Sequence, residues 1–116
     1  MKENNPIVEK SKRFAVRIIR LYQYLESKKK EYVLSKQILR SGTSIGANVR
    51  EAVRAQSKAD FIAKMQIALK EAGETEYWIE LLQETDYITE KAGESLLADC
   101  RELLKMMSAI IRTAKE

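Results

Sequence analysis

Apolar residues recur at alternating four- and three-residue intervals in four long runs, the spacing at which a helix turns one stripe toward its neighbours. The first run is Val8, Ser11, Ala15, Ile18, Tyr22 and Leu25, with Ile7, Phe14 and Leu21 alongside. It predicts a helix capped by Asn5, with Pro6 at the first helical position, that fades in the Lys28-Lys29-Lys30 run, where cations suit a helix C-terminus. The second runs through Leu34, Ile38, Ser41, Ile45, Asn48, Ala52 and Ala55, in a helix predicted from about Tyr32 to Ala55. The third starts at Ser57, which Asp60 completes as a capping-box-like pair, and uses Phe61, Met65, Ala68, Ala72, Thr75, Ile79 and Leu82. After a turn at Thr85-Asp86-Tyr87, the fourth starts near Thr89 and uses Gly93, Leu96, Cys100, Leu103, Met107, Ile110 and Ala114. Short connections force neighbours to run antiparallel, so the pattern predicts an all-α, up-down-up-down antiparallel four-helix bundle, a single domain over residues 1–116. Sustained seam spacing adds a left-handed crossing of about +20°.

The second run is unusual because its inward stripe is partly polar. Ser41 and Asn48 sit on the seam, Gln37, Ser44 and Glu51 recur on its flank, and Gly42 and Gly46 each cost about 1 kcal/mol relative to Ala in an exposed helix interior. With the turn near Gln56, antiparallel pairing sets Ser41 near Ala72, Gly42 near Glu71, Asn48 opposite Met65 and Gln37 opposite Glu76. It also brings Arg40 within reach of Glu71 or Glu74, and small residues at Ser41, Gly42, Ala72 and Gly73 predict a close approach of helices two and three. The polar motif is therefore Gln37, Arg40, Ser41, Ser44, Asn48, Glu51, Glu71 and Glu74, read as structural hydrogen bonding at a tight helix contact.

Composition narrows the chemistry. Hydrophobic residues at 45% and charged residues at 33% mark a folded globular chain, and one Pro with four Gly favours helices. No apolar run approaches the roughly 18 residues of a membrane span, and the N-terminus lacks the apolar core of a secretory signal, so the expectation is a cytoplasmic protein with no membrane partner. The absence of His removes the commonest general base and metal ligand. Gly42-Thr43-Ser44-Ile45-Gly46 lacks the Gly-Lys-Ser/Thr ending and preceding strand of a phosphate loop, and Cys100 on an apolar seam reads as a small core hydrophobe. The chain is read as non-enzymatic, without cofactor or metal; a carboxylate metal site from Glu51, Glu71 and Glu74 is the lesser alternative.

Charge supplies the candidate function. Residues 1–58 carry 14 Lys/Arg against 5 Asp/Glu, a balance of +9, and residues 59–116 carry 7 against 12, a balance of −5. The asymmetry predicts a basic face and an acidic face. Lys10, Arg13, Arg17 and Arg20 form one stripe on helix one; Lys28, Lys29, Lys30 and Lys36 gather at the first turn; Arg50 and Arg54 lie four apart on helix two. Such a set suits the phosphates of RNA or DNA, held electrostatically and with weak sequence preference. Tyr24 and Tyr32 near the basic end are placed to stack on unpaired bases, whereas Tyr22, on the seam, reads as packing.

The stretch Gln37–Ala52 (QILRSGTSIGANVREA) and a second block, Ile67–Leu82 (IALKEAGETEYWIELL), resemble the four-helix-bundle proteins encoded in 23S rRNA intervening sequences. The resemblance runs over nearly the whole chain. It implies a cytoplasmic bacterial protein whose fold is similar to that of the accessory protein of diversity-generating retroelements. It also implies a ring-like homo-oligomer, a homopentamer, and a basic surface for nucleic acid and for a partner such as a reverse transcriptase. The link to rRNA intervening sequences reflects where some genes lie and implies no ribosomal role. A competing expectation is a protein–protein adaptor whose basic half docks on acidic surfaces.

Overall fold

The structure, a computed structural model, describes residues 5–116 and contains four helices: α1 (Pro6–Ser27), α2 (Leu34–Val53), α3 (Lys58–Glu84) and α4 (Glu90–Lys115). Three of the four starts follow from side-chain caps. Asn5 Oδ1 accepts from the Ile7 N–H at 2.8 Å ahead of Pro6, Ser57 Oγ from the Asp60 N–H at 3.0 Å, and Thr89 Oγ1 from the Ala92 N–H at 3.1 Å. The start of α2 is different: Val33 supplies no cap, and the buried Glu31 carboxylate takes the Val33, Leu34 and Ser35 N–H groups at 3.1, 2.9 and 2.7 Å. α2 is accordingly two residues shorter at each end than the Tyr32–Ala55 span that the periodicity predicts.

Cross-helix contacts establish the topology. Ser41 meets Thr75 and Glu51 meets Lys64; Gly93 lies under Gln83 and Cys100 meets Ala72; Lys10 meets Glu102 and Arg17 meets Asp99; Gly42 lies under Ile18 and Gly46 against Ser11. In every pair, residue numbers fall on one helix as they rise on the other, so each adjacent pair is antiparallel and the bundle runs up-down-up-down. Among the described residues the diagonal helices stay apart, and α1 and α4 share the lightest contact of the four sides. The bundle measures 44 × 21 × 19 Å around a core that includes Phe14, Ile18, Ile38, Ile45, Met65, Ile79, Leu103 and Met107.

The predicted packing of α2 on α3 is refined in two places. Ser41 takes as its hydrogen-bond partner Thr75, on the same buried face as Ala72 and one turn along, while Arg40 bridges Glu71 and Glu74 as the predicted register requires. The close approach is also misassigned: a Cβ on Gly42 would lie 2.8 Å from Ile18 Cγ1 and Cγ2, so Gly42 lets α1 in, not α3, while a Cβ on Gly73 would meet nothing within 4 Å. Asn48 is only half-buried, and Val49 takes the inward place. The reason is the 3.6-residue turn, which rotates a strict 3.5-residue stripe out of the core over two heptads. On α4 the same drift puts Ile111 inside in preference to Ile110, whereas α1 keeps strict four-three spacing through Ile7, Ser11, Phe14, Ile18, Leu21 and Leu25, so that Phe14 and Leu21 lie inside in preference to Ala15 and Tyr22.

Candidate nucleic-acid interface

The basic stripe of α1 is divided by its neighbour. Lys10 Nζ lies 2.7 Å from Glu102 Oε2. Arg17 Nη1 lies 2.7 Å from Asp99 Oδ2 and donates to the Ser95 carbonyl at 3.3 Å, and its Nη2 donates to Ser95 Oγ at 3.0 Å. Ser95, Asp99 and Glu102 recur at four and three residues along α4, as the cations do along α1, so the two stripes zip together. Side chains this exposed contribute at most about 1 kcal/mol per pair, but the contact occupies the cations. Arg13 is left outward, with only Glu9 at 3.9 Å on its own helix, and Arg20 donates weakly to Gln23 at 3.4 Å. Half of the stripe predicted to meet phosphates thus faces α4 instead.

The turn between α1 and α2 keeps its charge outward. Lys28, Lys29, Lys30 and Lys36 are all exposed, with no acidic partner among the described residues. Tyr24 and Tyr32 beside them are 41% and 49% exposed. Tyr22 is half-buried, and the Glu26 carboxylate hydrogen-bonded to its hydroxyl pushes the phenol up. The turn is rigidly specified. Lys30 adopts the left-handed conformation (φ 55°), the Glu31 N–H reaches back to the Leu25 carbonyl at 3.0 Å, and the Glu31 side chain caps α2. Burial pushes the Glu31 carboxyl up, but the Leu34, Ser35 and Val33 N–H groups outweigh it and hold the group below the ordinary carboxylate value.

Arg50 and Arg54 lie at the other end of α2, roughly 20–27 Å from Lys36 along the helix axis. They do not join the turn cluster. Arg50 faces the α1–α2 groove with Lys12, and Arg54 lines a separate groove with Glu51, Asp60 and Lys64.

The polar motif resolves into intrabundle bonds. Arg40 donates to Glu71 at 3.1 Å and Glu74 at 2.6 Å, as the sequence predicts, and Glu74 also accepts from Trp78 Nε1 at 3.1 Å. That indole N–H, with the Arg40 guanidinium, holds the Glu74 carboxyl below its ordinary value against the opposing effect of burial. Ser44 Oγ donates to the Arg40 carbonyl at 2.7 Å and Asn48 Nδ2 to the Ser44 carbonyl at 2.9 Å, so both turn back on their own helix; Gln37 is exposed and Glu51 pairs with Lys64 at 3.4 Å. Glu51 therefore does not join Glu71 and Glu74, and among the described residues no three His, Cys, Asp or Glu side chains gather as a metal site would require.

The model of the 23S rRNA-intervening sequence protein family matches residues 3–109. The chain belongs to that family. It is similar to the crystal structure of a protein of unknown function from the S23 ribosomal protein family of Bacteroides thetaiotaomicron, at 60% identity and a TM-score of 0.90, over 90% of this chain and 97% of that one. No curated protein matches.

In this family member, sequence reasoning missed three contributors. Glu31 was one more acid beside a lysine run, although a carboxylate just ahead of a helix start is a capping signal. Thr75 was read only as a seam residue and Trp78 was given no role, whereas they complete the Ser41 and Glu74 contacts. Cys100 is a core residue as read: its thiol donates to the Ala72 carbonyl at 3.3 Å, and burial pushes it up to about 12. No helix among the described residues is long and apolar enough to cross a membrane.

Proposed function

We propose that this protein is a non-enzymatic, cytoplasmic nucleic-acid-binding bundle that works as a ring-like homo-oligomer, a pentamer, and holds RNA or DNA through the α1–α2 turn and the face between those helices. The observation that carries the reading is Lys30. A non-glycine residue in the left-handed region costs roughly 1–2 kcal/mol, and such strain is retained where function needs the side chain. Here it keeps a third cation between exposed Tyr24 and Tyr32, a combination suited to stacking bases while neutralising phosphates. Lys28, Lys29, Lys30, Lys36, Arg20 and Arg13 supply the principal contacts; Lys10 and Arg17, already occupied by α4, supply little. The ring rests on the family resemblance.

A salt-titrated binding assay with a single-stranded oligonucleotide tests the proposal. Changing Lys28, Lys29 and Lys30 to Gln together should flatten the dependence of log affinity on log salt by about two, at roughly 0.7 per lost phosphate contact. Changing Lys10 and Arg17 to Gln should barely move it. Binding that ignores salt would reject the nucleic-acid reading, and a monomer mass in solution would reject the ring.

The adaptor reading draws on a different observation. Val16 and Ile19 are 48% and 39% exposed on α1, and an apolar groove of about 480 Å³ lies between α1 and α4 beside Arg17 and Arg20. Such a surface suits a partner with apolar side chains and an acidic rim. Retention of an acidic protein with no nucleic-acid affinity would favour it.

A further inference from the structure

We infer a phosphate subsite in the groove between α1 and α2, formed by Lys12 and Arg50; it rests on the nucleic-acid reading and extends it along the bundle. The groove encloses about 220 Å³, and no acidic residue lines it. At about 30 Å³ per water, that is room for one phosphate group with bridging waters. Lys12 and Arg50 are exposed and come from facing helices. The acids that neighbour them in sequence are committed elsewhere: Glu51 to Lys64 at 3.4 Å and Glu9 to Arg13 at 3.9 Å. The groove's depth comes from small residues. Gly46 brings the α2 backbone so close to α1 that a Cβ there would lie 3.4 Å from the Ser11 carbonyl oxygen, and Ala47 leaves the mouth open.

Neither hydroxyl that lines the site adds a donor, because Thr43 Oγ1 donates to the Leu39 carbonyl at 2.7 Å and Ser11 Oγ to the Val8 carbonyl at 3.2 Å. Recognition therefore falls to the ammonium and the guanidinium, which together offer eight N–H donors and no acceptor. That chemistry selects a phosphate oxygen over a neutral polar group. Two cations over a concave, largely apolar floor also focus their field more than two on a convex helix surface. A backbone phosphodiester and free inorganic phosphate share this chemistry.

The experiment uses the full chain labelled with nitrogen-15, titrated separately with inorganic phosphate and with an oligothymidylate, and three proteins: wild type, K12Q/R50Q, and A47L. The last fills the mouth of the groove without altering charge. In wild type, both ligands should shift the Gly46 and Ala47 amide signals. K12Q/R50Q should bind the oligonucleotide about tenfold more weakly and flatten its salt dependence by about 1.4. A47L should weaken it several-fold with little change in the far-field steering that net charge provides. If A47L binds as wild type does, the cations act only as diffuse charge and the subsite is overturned, while the turn-based reading stands. If phosphate shifts the two amides but the oligonucleotide does not bind, the subsite stands and the nucleic-acid reading falls. If neither ligand acts, both fall.

Discussion

Ser41 and Thr75 hydrogen-bond to each other at 2.8 Å across the α2–α3 seam, and both side chains are fully buried. Thr75 Oγ1 also lies 2.8 Å from the Glu71 carbonyl, whereas the carbonyl nearest Ser41, that of Ile38, is 3.5 Å away. The two singles should therefore differ. Ser41→Ala leaves Thr75 a good acceptor and should cost about 1 kcal/mol, while Thr75→Val strands the Ser41 hydroxyl and should cost about 2–3 kcal/mol. The double variant should cost less than the sum. Urea midpoints of the four proteins measure the cycle; equal, additive losses would contradict the pairing.

Two helical glycines should respond to alanine in opposite directions. Gly73→Ala adds a methyl to open space and should stabilise by roughly 1 kcal/mol through helix propensity alone. Gly42→Ala drives its methyl within 2.8 Å of the buried Ile18 side chain, and overpacking of about 1–3 kcal/mol should exceed the propensity gain. Thermal unfolding of both variants decides it. A stabilised Gly42→Ala would mean that α1 can move away from α2 freely.

Lys30→Gly should separate stability from binding. Relief of the left-handed conformation should raise stability by about 1 kcal/mol. Loss of the cation should lower the salt slope of oligonucleotide binding by about 0.7. Fluorescence anisotropy over a salt series, beside a melting curve, reads both; a variant neither more stable nor weaker in binding would remove the functional argument from this residue.

The cap at Glu31 sets a pH dependence. Its folded-state pKa lies below the unfolded value, so its contribution is fully present above the ordinary carboxylate range and disappears as pH falls through the folded value. Replacement by Gln should cost about 1–2 kcal/mol at neutral pH, as lost caps do, and should flatten the acid limb of stability against pH. If the acid limbs of wild type and E31Q are parallel, other carboxylates govern it.

Much of this was legible in the sequence where the chemistry is local. Asn5, Ser57 and Thr89 each bond an amide two or three residues ahead, so cap and helix start are read together. The Arg40–Glu71–Glu74 contact was legible because long side chains tolerate an error of one turn in register. Ser41 has no such reach, and placing it near Ala72 did not single out the Thr75 hydroxyl one turn along as its partner. The candidate site was half legible for a related reason. Lys10, Arg13, Arg17 and Arg20 look alike on α1; only the matched spacing of Ser95, Asp99 and Glu102, seventy or more residues away, distinguishes those that face α4. Net charge by halves predicted two faces, but folding lays part of the acidic half on the basic one, so much of the asymmetry is spent inside one molecule.

Cys100 carries a practical consequence. It is the chain's only cysteine, wholly enclosed, bonded to the neighbouring helix and, with burial pushing the thiol up to about 12, protonated at neutral pH. A thiol reagent can reach it only when α3 and α4 part. The rate of its modification is therefore a clock for breathing of the bundle, installed in the natural chain and needing no label. Slower ticking on addition of a ligand would measure how firmly that ligand holds the helices together.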